Sequence, residues 1–352
     1  MEKMKFCVFT LLCASLQISH QNPISQWTLR PNVLVAEVDG SKSWLRLSCL
    51  QPEELVKRGN QSLDIFWEKD SKREAQRGNV YRVQLQESIG GGNYTCHNSD
   101  GSLLNHTVVL IQEDKTMRRK ILVKTDDEYL KCSAQNYSGE ISCSWTWHSS
   151  RVGSVEFIRA RRASDDNTQC SGDTNSQLWS CSSHHSKFRC SVDMSGNSIS
   201  CLDEKHCPYA EETQQIHITV YVKTKYFLVE EHSRHFYLSE IVKPEKVQIN
   251  KVNTTVIKWS YPSSWSSPFS YFPLTFQVAE LRRKCKSCVN SCINSKATKT
   301  LNIQSTGTCL FEVRPRSKAV CVRARDALCN SQWSEWSHLR LKRNRRNKKE
   351  EV

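Results

Sequence analysis

The chain has 352 residues, 17 of them cysteine, and carries 50 lysines and arginines against 36 aspartates and glutamates, a formal charge of +14. That length suffices for two or three ordinary domains, and so many cysteines point to an oxidising compartment. Only 12 glycines and 9 prolines exclude collagen-like or low-complexity architecture.

At the N-terminus, Lys3 and Lys5 precede an apolar run from Phe6 to Leu16, and polar residues follow up to Pro23. This order predicts a secretory signal over residues 1–22, too short to span a bilayer. No later stretch reaches ~18 consecutive apolar residues, so no transmembrane helix is expected. A secreted, extracellular chain has no use for nucleic acid as a partner, whatever its charge. Loss of Cys7 and Cys13 leaves an odd number of cysteines, the mark of an intermolecular bridge or a free thiol.

Short β-branched and aromatic runs then recur, at Val33–Val35, Leu63–Trp67, Val108–Ile111, Ile216–Val222, Val256–Trp259 and Ala319–Arg325. Turn-forming residues separate them, which predicts an all-β chain of sandwich modules. A charge run at 113–120 and a short stretch around Pro244 read as seams between modules.

The first module, residues 23–114, carries a specific signature. Cys49 and Cys96 bracket Trp67, and Tyr94 stands two residues before the second cysteine, as in an immunoglobulin-like sandwich with its inter-sheet disulfide and tyrosine corner. Gly90-Gly91-Gly92 reads as the turn before that corner. The second module opens with Cys132 and Cys143, separated by Tyr137-Ser138-Gly139. That turn lets the two cysteines face each other across a hairpin, near Trp145. In the third, Val320–Arg325 alternates with period 2 and sets Cys321, Arg323 and Arg325 on one strand face. If Trp333-Ser334-Glu335-Trp336-Ser337 lies beside that strand, the guanidiniums can stack between Trp333 and Trp336, at roughly 0.5–2 kcal/mol per contact. A turn near 327–330 places Cys321 opposite Ser334–Trp336.

Cys132, Cys143 and Trp145, followed far downstream by the Trp333–Ser337 motif, resemble a cytokine-receptor homology region. With the immunoglobulin module and the stretches Cys207–Glu212 and Trp265–Phe272, the whole mature chain resembles the interleukin-12 beta-subunit family. The resemblance implies an all-β fold in which the N-terminal immunoglobulin-like sandwich is followed by two fibronectin type III sandwiches, at 115–241 and 242–340; by its charge, 341–352 reads as a basic tail. It implies no enzymatic activity and no cofactor. It also implies a four-helix alpha subunit as covalent partner, joined through Cys207 and held at the interdomain bend by Tyr137, Tyr271 and Asp326, the last meeting an arginine. The immunoglobulin domain would then face a cell-surface cytokine receptor in immune signalling. The alternatives for the three contacts are a turn tyrosine, a core aromatic and a hairpin-turn residue. Among Cys170, Cys181, Cys190 and Cys201, the resemblance favours 170–201, leaving 181–190 as an inner bridge. Cys285, Cys288, Cys292, Cys309, Cys321 and Cys329 form an even set of open pairing, so Cys207 is the cysteine left over. Where the family carries tyrosines after Asp326, this chain has Ala327, Leu328 and Cys329.

Other chemistry is sparse. Cys285-x2-Cys288-x3-Cys292 has metal-like spacing, yet no histidine stands near it and secretion favours disulfides. No catalytic constellation is present. Five sequons stand at Asn60, Asn93, Asn105, Asn136 and Asn253, and a glycan on Asn136 would crowd Tyr137. Arg340, Lys342, Arg343, Arg345, Arg346, Lys348 and Lys349 put seven positive charges into ten residues. They read as a solvated tail or as a footprint for heparan sulfate, and Arg343–Arg346 resembles a convertase site. The competing functional readings are a soluble decoy or homodimeric antagonist of the same receptors, or a glycosaminoglycan-binding extracellular protein.

Overall fold

The computed structural model describes residues 25–57, 64–86, 89–113, 120–282, 288, 300–329 and 331–341. The expected signal, the Asn60 sequon, Cys285, Cys292 and the tail from Lys342 onward lie outside them. The described residues form an all-β chain, with an immunoglobulin-like sandwich and two fibronectin type III sandwiches, in two compact units that divide at residue 115. Among them, no helix is long and apolar enough to cross a membrane.

The first unit contains β1 (Gln26–Arg30), β2 (Val33–Val38), β3 (Ser43–Ser48), a helical turn α1 (Pro52–Lys57), β4 (Phe66–Lys69), β5 (Lys72–Arg77), β6 (Val80–Leu85), β7 (Gly92–His97) and β8 (Leu103–Glu113). One sheet runs β1-β2-β8-β7-β4-β5 and the other pairs β3 with β6. Period-2 alternation buries Tyr81, Val83 and Leu85 of β6 and Tyr94 and Cys96 of β7. Cys49, just past β3, is bonded to Cys96 in β7 and so ties one sheet to the other. Trp67 is buried and its indole N–H donates to the Gly78 carbonyl at 2.9 Å. The Tyr94 hydroxyl donates to the Gly90 carbonyl at 2.8 Å. Gly90 sits at φ +100°, and a Cβ there would lie 2.4 Å from the Gln84 carbonyl oxygen, so only glycine closes this corner.

The second unit begins with the first fibronectin domain. Its strands are β9 (Leu122–Val123), β10 (Lys131–Ser133), β11 (Glu140–Ser144), β12 (Thr146–Trp147), β13 (Gly153–Arg162), β14 (Gln169–Asp173), β15 (Leu178–Ser182), β16 (Lys187–Val192), β17 (Ser198–Asp203), β18 (Ile216–Thr224) and β19 (Val229–Phe236), before the short helix α2 (Leu238–Ile241). One sheet runs β10-β11-β17-β16-β15-β14, and β13-β18-β19 forms another. Cys132 and Cys143 stand opposite each other on β10 and β11 and are bonded. The pairing of the next four differs from the family-based expectation. Cys170 is bonded to Cys181 and Cys190 to Cys201, each across neighbouring strands with Cα atoms 4.0 Å apart. A 170–201 bridge is excluded because β15 and β16 lie between β14 and β17. Three strand spacings amount to about 14 Å, and a disulfide reaches no more than ~7 Å between Cα atoms.

The second fibronectin domain comprises β20 (Gln248–Lys251), β21 (Val256–Ser260), β22 (Leu274–Leu281), β23 (Thr300–Thr306), β24 (Leu310–Glu312), β25 (Ala319–Asp326) and β26 (Ser337–Arg340). Its sheets are β20-β21-β24 and β23-β22-β25-β26. Cys321 is bonded to Cys288 and packs among Ala279, Leu281 and Ala319, with Trp336 against the cluster. Its strand partner is His338, not Ser334–Trp336, because residues 327–329 and 331–336 are not strand and the connection is longer than a tight turn. Cys207, Cys309 and Cys329 are all free thiols, so Cys207 is not the only cysteine left over.

That connection holds the tryptophan–arginine ladder. The Arg323 guanidinium lies 4.6 Å from the Trp333 ring centre and 4.4 Å from that of Trp336, and Arg325 lies 4.6 Å from Trp333. Ser334 donates its N–H to the Ala324 carbonyl at 2.7 Å and accepts the Ala324 N–H on its hydroxyl at 2.9 Å. The segment thereby acts as an irregular edge strand against β25. The expected linker around Pro244 is also fastened. Lys243 N–H donates to the Ala134 carbonyl at 2.7 Å, Gln332 N–H to Val242 at 3.0 Å, and the Lys243 ammonium pairs with Glu335 at 2.7 Å.

Candidate functional site

The turn between β10 and β11 fixes the first component. Asn136 Oδ1 accepts the Ser138 N–H at 2.8 Å, an Asx-type turn, and Gly139 at φ +89° turns the chain back into β11. The same turn grips the second fibronectin domain, with Asn136 Nδ2 donating to the Ser264 carbonyl at 2.7 Å and Tyr137 N–H to Ser266 Oγ at 3.0 Å. Tyr137 is thereby pressed into an aromatic cluster, its ring 5.2 Å from Phe272 and 5.9 Å from Trp265. The Trp265 N–H is satisfied by the Phe272 carbonyl at 2.9 Å.

Tyr209 and Tyr271 extend the cluster outward, edge to face at 5.2 Å. Tyr209 OH donates to the Ser267 carbonyl at 3.1 Å, and Tyr271 OH to the Tyr209 carbonyl at 2.9 Å. Tyr271 is 48% exposed, which excludes a core role.

Asp326, the last residue of β25, is only 3% exposed. Its Oδ2 accepts the Tyr137 hydroxyl at 3.0 Å, and its Oδ1 accepts the N–H groups of Leu328 at 2.7 Å and Cys329 at 3.0 Å. It is therefore both a turn residue and the anionic floor of a shared cavity of about 200 Å³, bordered by Tyr137, Tyr271, Phe272, His206, Glu212 and Cys329 among others. Among the described residues, no lysine or arginine forms an ion pair with Asp326, so its charge meets only neutral donors. Burial and Asp326 together push Tyr137 well above the ordinary tyrosine range, so its hydroxyl stays a donor.

His206 braces the wall of this cavity. Arg162 donates to its Nδ1 at 3.3 Å, which leaves Nε2–H to donate to the Tyr137 carbonyl at 3.1 Å. Arg162 is itself held by buried Asp203 at 2.6 Å. Burial first, and the Arg162 charge second, hold His206 below its ordinary value, so the neutral ring belongs to this arrangement. Cys207 follows directly, exposed, and both its sequence neighbours His206 and Pro208 line the cavity. Glu212 caps α2, accepting the Leu238 N–H and, at 3.1 Å, the Ser239 N–H.

Tyr137, Tyr271 and Asp326 thus meet around one cavity, with Cys207 at its edge. His206, Tyr209, Phe272 and Cys329 were not singled out from the sequence as contact residues. Tyr209 and Phe272 fall within the stretches that carry the family resemblance, whereas His206 has no local signal because Arg162 and Asp203 define its role. Cys288 is half of a disulfide and cannot be a zinc thiolate. Among the described residues, no group of histidine, cysteine or carboxylate side chains is placed to hold a metal. Of the basic tail, only Arg340 is described, opposite Ala319 at the end of β26.

The family model described as "Cytokine interleukin-12p40 C-terminus" matches residues 127–224, within the first fibronectin domain. Across the chain, interleukin-12 subunit beta of Mesocricetus auratus is 31% identical over 329 residues, covering 88% of this chain and 91% of that protein. The Sigmodon hispidus protein of the same name is 30% identical over 332 residues (89% and 92%) and the Homo sapiens protein 27% over 335 (90% and 93%). The chain belongs to the interleukin-12 subunit beta family. Such coverage takes in residues of both units.

Proposed function

We propose that the protein is the secreted, non-enzymatic beta chain of a heterodimeric cytokine. It captures a four-helix alpha subunit at the cavity between its fibronectin domains and presents the immunoglobulin domain to a cell-surface receptor. The reading is carried by Asp326, a nearly buried carboxylate without a basic partner among the described residues, on the floor of an aromatic cavity. Burial of such a charge is costly unless a cation completes it, and an arginine on a partner helix supplies a planar guanidinium for both the carboxylate and the rings. Cys207 is the exposed thiol beside that cavity and serves as the interchain half-cystine.

The test is co-expression with a four-helix alpha chain from the same organism, followed by non-reducing peptide mapping of the secreted complex. A Cys207 peptide bridged to the alpha chain is expected. A complex in which Cys207 is free, or bridged within its own chain, rules out the covalent assignment. Failure of any helical chain to co-secrete removes the docking reading itself. The homodimeric-antagonist and heparan-sulfate readings draw no support from the family relationship.

A further inference from the structure

The smaller sheet of the first unit has a face that the sandwich does not use. Period-2 alternation along β3 and β6 turns Leu45, Leu47, Tyr81, Val83 and Leu85 inward, and all five are buried. The opposite face carries Trp44 and Arg46 on β3 against Gln84 and Arg82 on β6. Arg46 and Arg82 stand directly opposite each other, and both are exposed. Like charges in that register repel across about 5 Å between their Cβ atoms. Among the described residues neither guanidinium has an ion-pair partner, and no ring or cation stacks on Trp44, which is 47% exposed. Gln76 holds the pair in place, because its amide accepts the Arg82 N–H at 3.0 Å and donates to the Arg82 carbonyl at 2.9 Å. Those bonds close the strand edge at Arg82, so the face is offered through side chains and not as a template for an added strand. Neither β3 nor β6 carries a sequon.

We infer that this face, with Trp44 as its anchor and Arg46 and Arg82 as its charged pair, is a docking surface for a folded protein that presents carboxylates beside an apolar pocket. Charge complementarity selects the occupant. A carboxylate from outside relieves the opposed guanidiniums, which nothing among the described residues does, and each planar fork can take a carboxylate bidentately. An exposed indole gains from a desolvated pocket, and tryptophan and arginine carry much of the energy at the centres of interfaces. A sulfated polysaccharide would satisfy the two arginines but offers no pocket for the indole. That the partner is a cell-surface receptor rests on the function proposed above, whereas its carboxylate chemistry does not.

The first test follows hydrogen exchange of the purified full chain by mass spectrometry, in peptides that cover β3 and β6. Arg46→Glu turns a like pair into an opposite one and should slow exchange there by about two- to fivefold at low salt. Adding Arg82→Glu should remove that protection, and high salt should reduce it. Unchanged or faster exchange in Arg46→Glu would mean that the two charges do not oppose each other, which overturns the inference.

The second test passes soluble cytokine-receptor ectodomains from the same organism, one at a time, over the immobilised full chain, with heparin as a further probe. Trp44→Ala should weaken the ectodomain that binds by about thirtyfold, and Arg46→Glu by about tenfold, the latter chiefly through slower association. Weaker binding by a variant whose strands are better protected separates recognition from damage to the fold. An ectodomain that binds wild type, Trp44→Ala and Arg46→Glu alike leaves the receptor reading standing and removes this face from it. Heparin binding that Arg46→Glu loses and Trp44→Ala keeps, with no change for an ectodomain, assigns the face to polysaccharide and overturns the inference. If no ectodomain binds the wild type, the receptor reading itself fails and the docking surface with it.

Discussion

The Tyr137 hydroxyl donates to Asp326 Oδ2 at 3.0 Å, although the two residues stand 189 positions apart in the chain. That bond joins the β10–β11 turn of one fibronectin domain to the end of β25 in the other. It also orients the carboxylate that floors the cavity. Tyr137→Phe keeps the stacking on Phe272 but removes the donor, leaving a largely buried carboxylate oxygen short of a partner. A loss of about 1–2 kcal/mol is expected. A double-mutant cycle with Asp326→Asn, followed by urea unfolding, measures it; additive effects would mean that the bond carries no coupling.

The histidine brace gives the same cavity an acid limit. His206 in the folded chain titrates below its ordinary value of 6.5, because burial and Arg162 oppose a second ring proton. The unfolded chain takes up a proton near pH 6.5 that the folded cavity refuses until lower pH. The contribution to stability is therefore complete above about pH 6.5 and is lost as the pH falls through the window beneath it. Melting curves between pH 7.5 and 5 should show a smaller acid loss for His206→Gln than for the wild type. Equal acid losses in both proteins would assign the effect elsewhere.

In the tryptophan–arginine ladder Arg323 faces both indoles and also donates through Nε to Gln277 at 2.9 Å. Arg323→Ala is expected to destabilise by about 2–3 kcal/mol. Chemical denaturation of the variant measures the loss, and an unchanged stability would contradict the geometry.

Sequon occupancy should divide by amide geometry. Asn93 and Asn253 are exposed, while Asn105 Nδ2 donates to the Cys49 carbonyl at 2.9 Å and Asn136 Nδ2 to the Ser264 carbonyl at 2.7 Å. A glycan replaces one of the two hydrogens on Nδ2 and must fit beside a packed contact, so an engaged nitrogen is the poorer acceptor. Glycopeptide mapping of secreted protein should find more sugar on Asn93 and Asn253 than on Asn105 or Asn136. Higher occupancy at Asn136 than at Asn93 and Asn253 would contradict this order.

Mass mapping of non-reduced peptides also reads the disulfide framework. Peptides linked 170–181 and 190–201 are expected. Each bridge closes a loop of sequence separation 11, worth roughly 2–3 kcal/mol in the chain-entropy account. A 170–201 peptide would require a different strand order in the sheet.

Much of the fold was legible because its determinants are local. Period-2 alternation with turn residues between the runs marks strands, since a half-buried sheet needs apolar groups on every second residue. The spacing of Cys49, Trp67, Tyr94 and Cys96 marks the first sandwich, because only those residue types fill the positions around its inter-sheet bridge. The alternation of Arg323 and Arg325 pointed to the ladder for the same reason. Cys132 and Cys143 could be paired because a single turn separates them.

The remainder depended on which strands become neighbours. Cys170, Cys181, Cys190 and Cys201 admit several pairings along the chain, and the order β17-β16-β15-β14 leaves the two hairpin pairs within bonding distance. Cysteine parity suggested one spare thiol, whereas burial and register leave Cys207, Cys309 and Cys329 unbonded. By itself the sequence determined the all-β architecture, which rests on local pattern, and the family, through residue types at fixed spacing; Tyr137, Tyr271 and Asp326 came only as what that resemblance implied. Only the tertiary structure decided that Tyr137, Asp326, His206 and Cys329 share one cavity. Their meeting depends on two domains docking through bonds between residues far apart in the chain, and no local pattern records that.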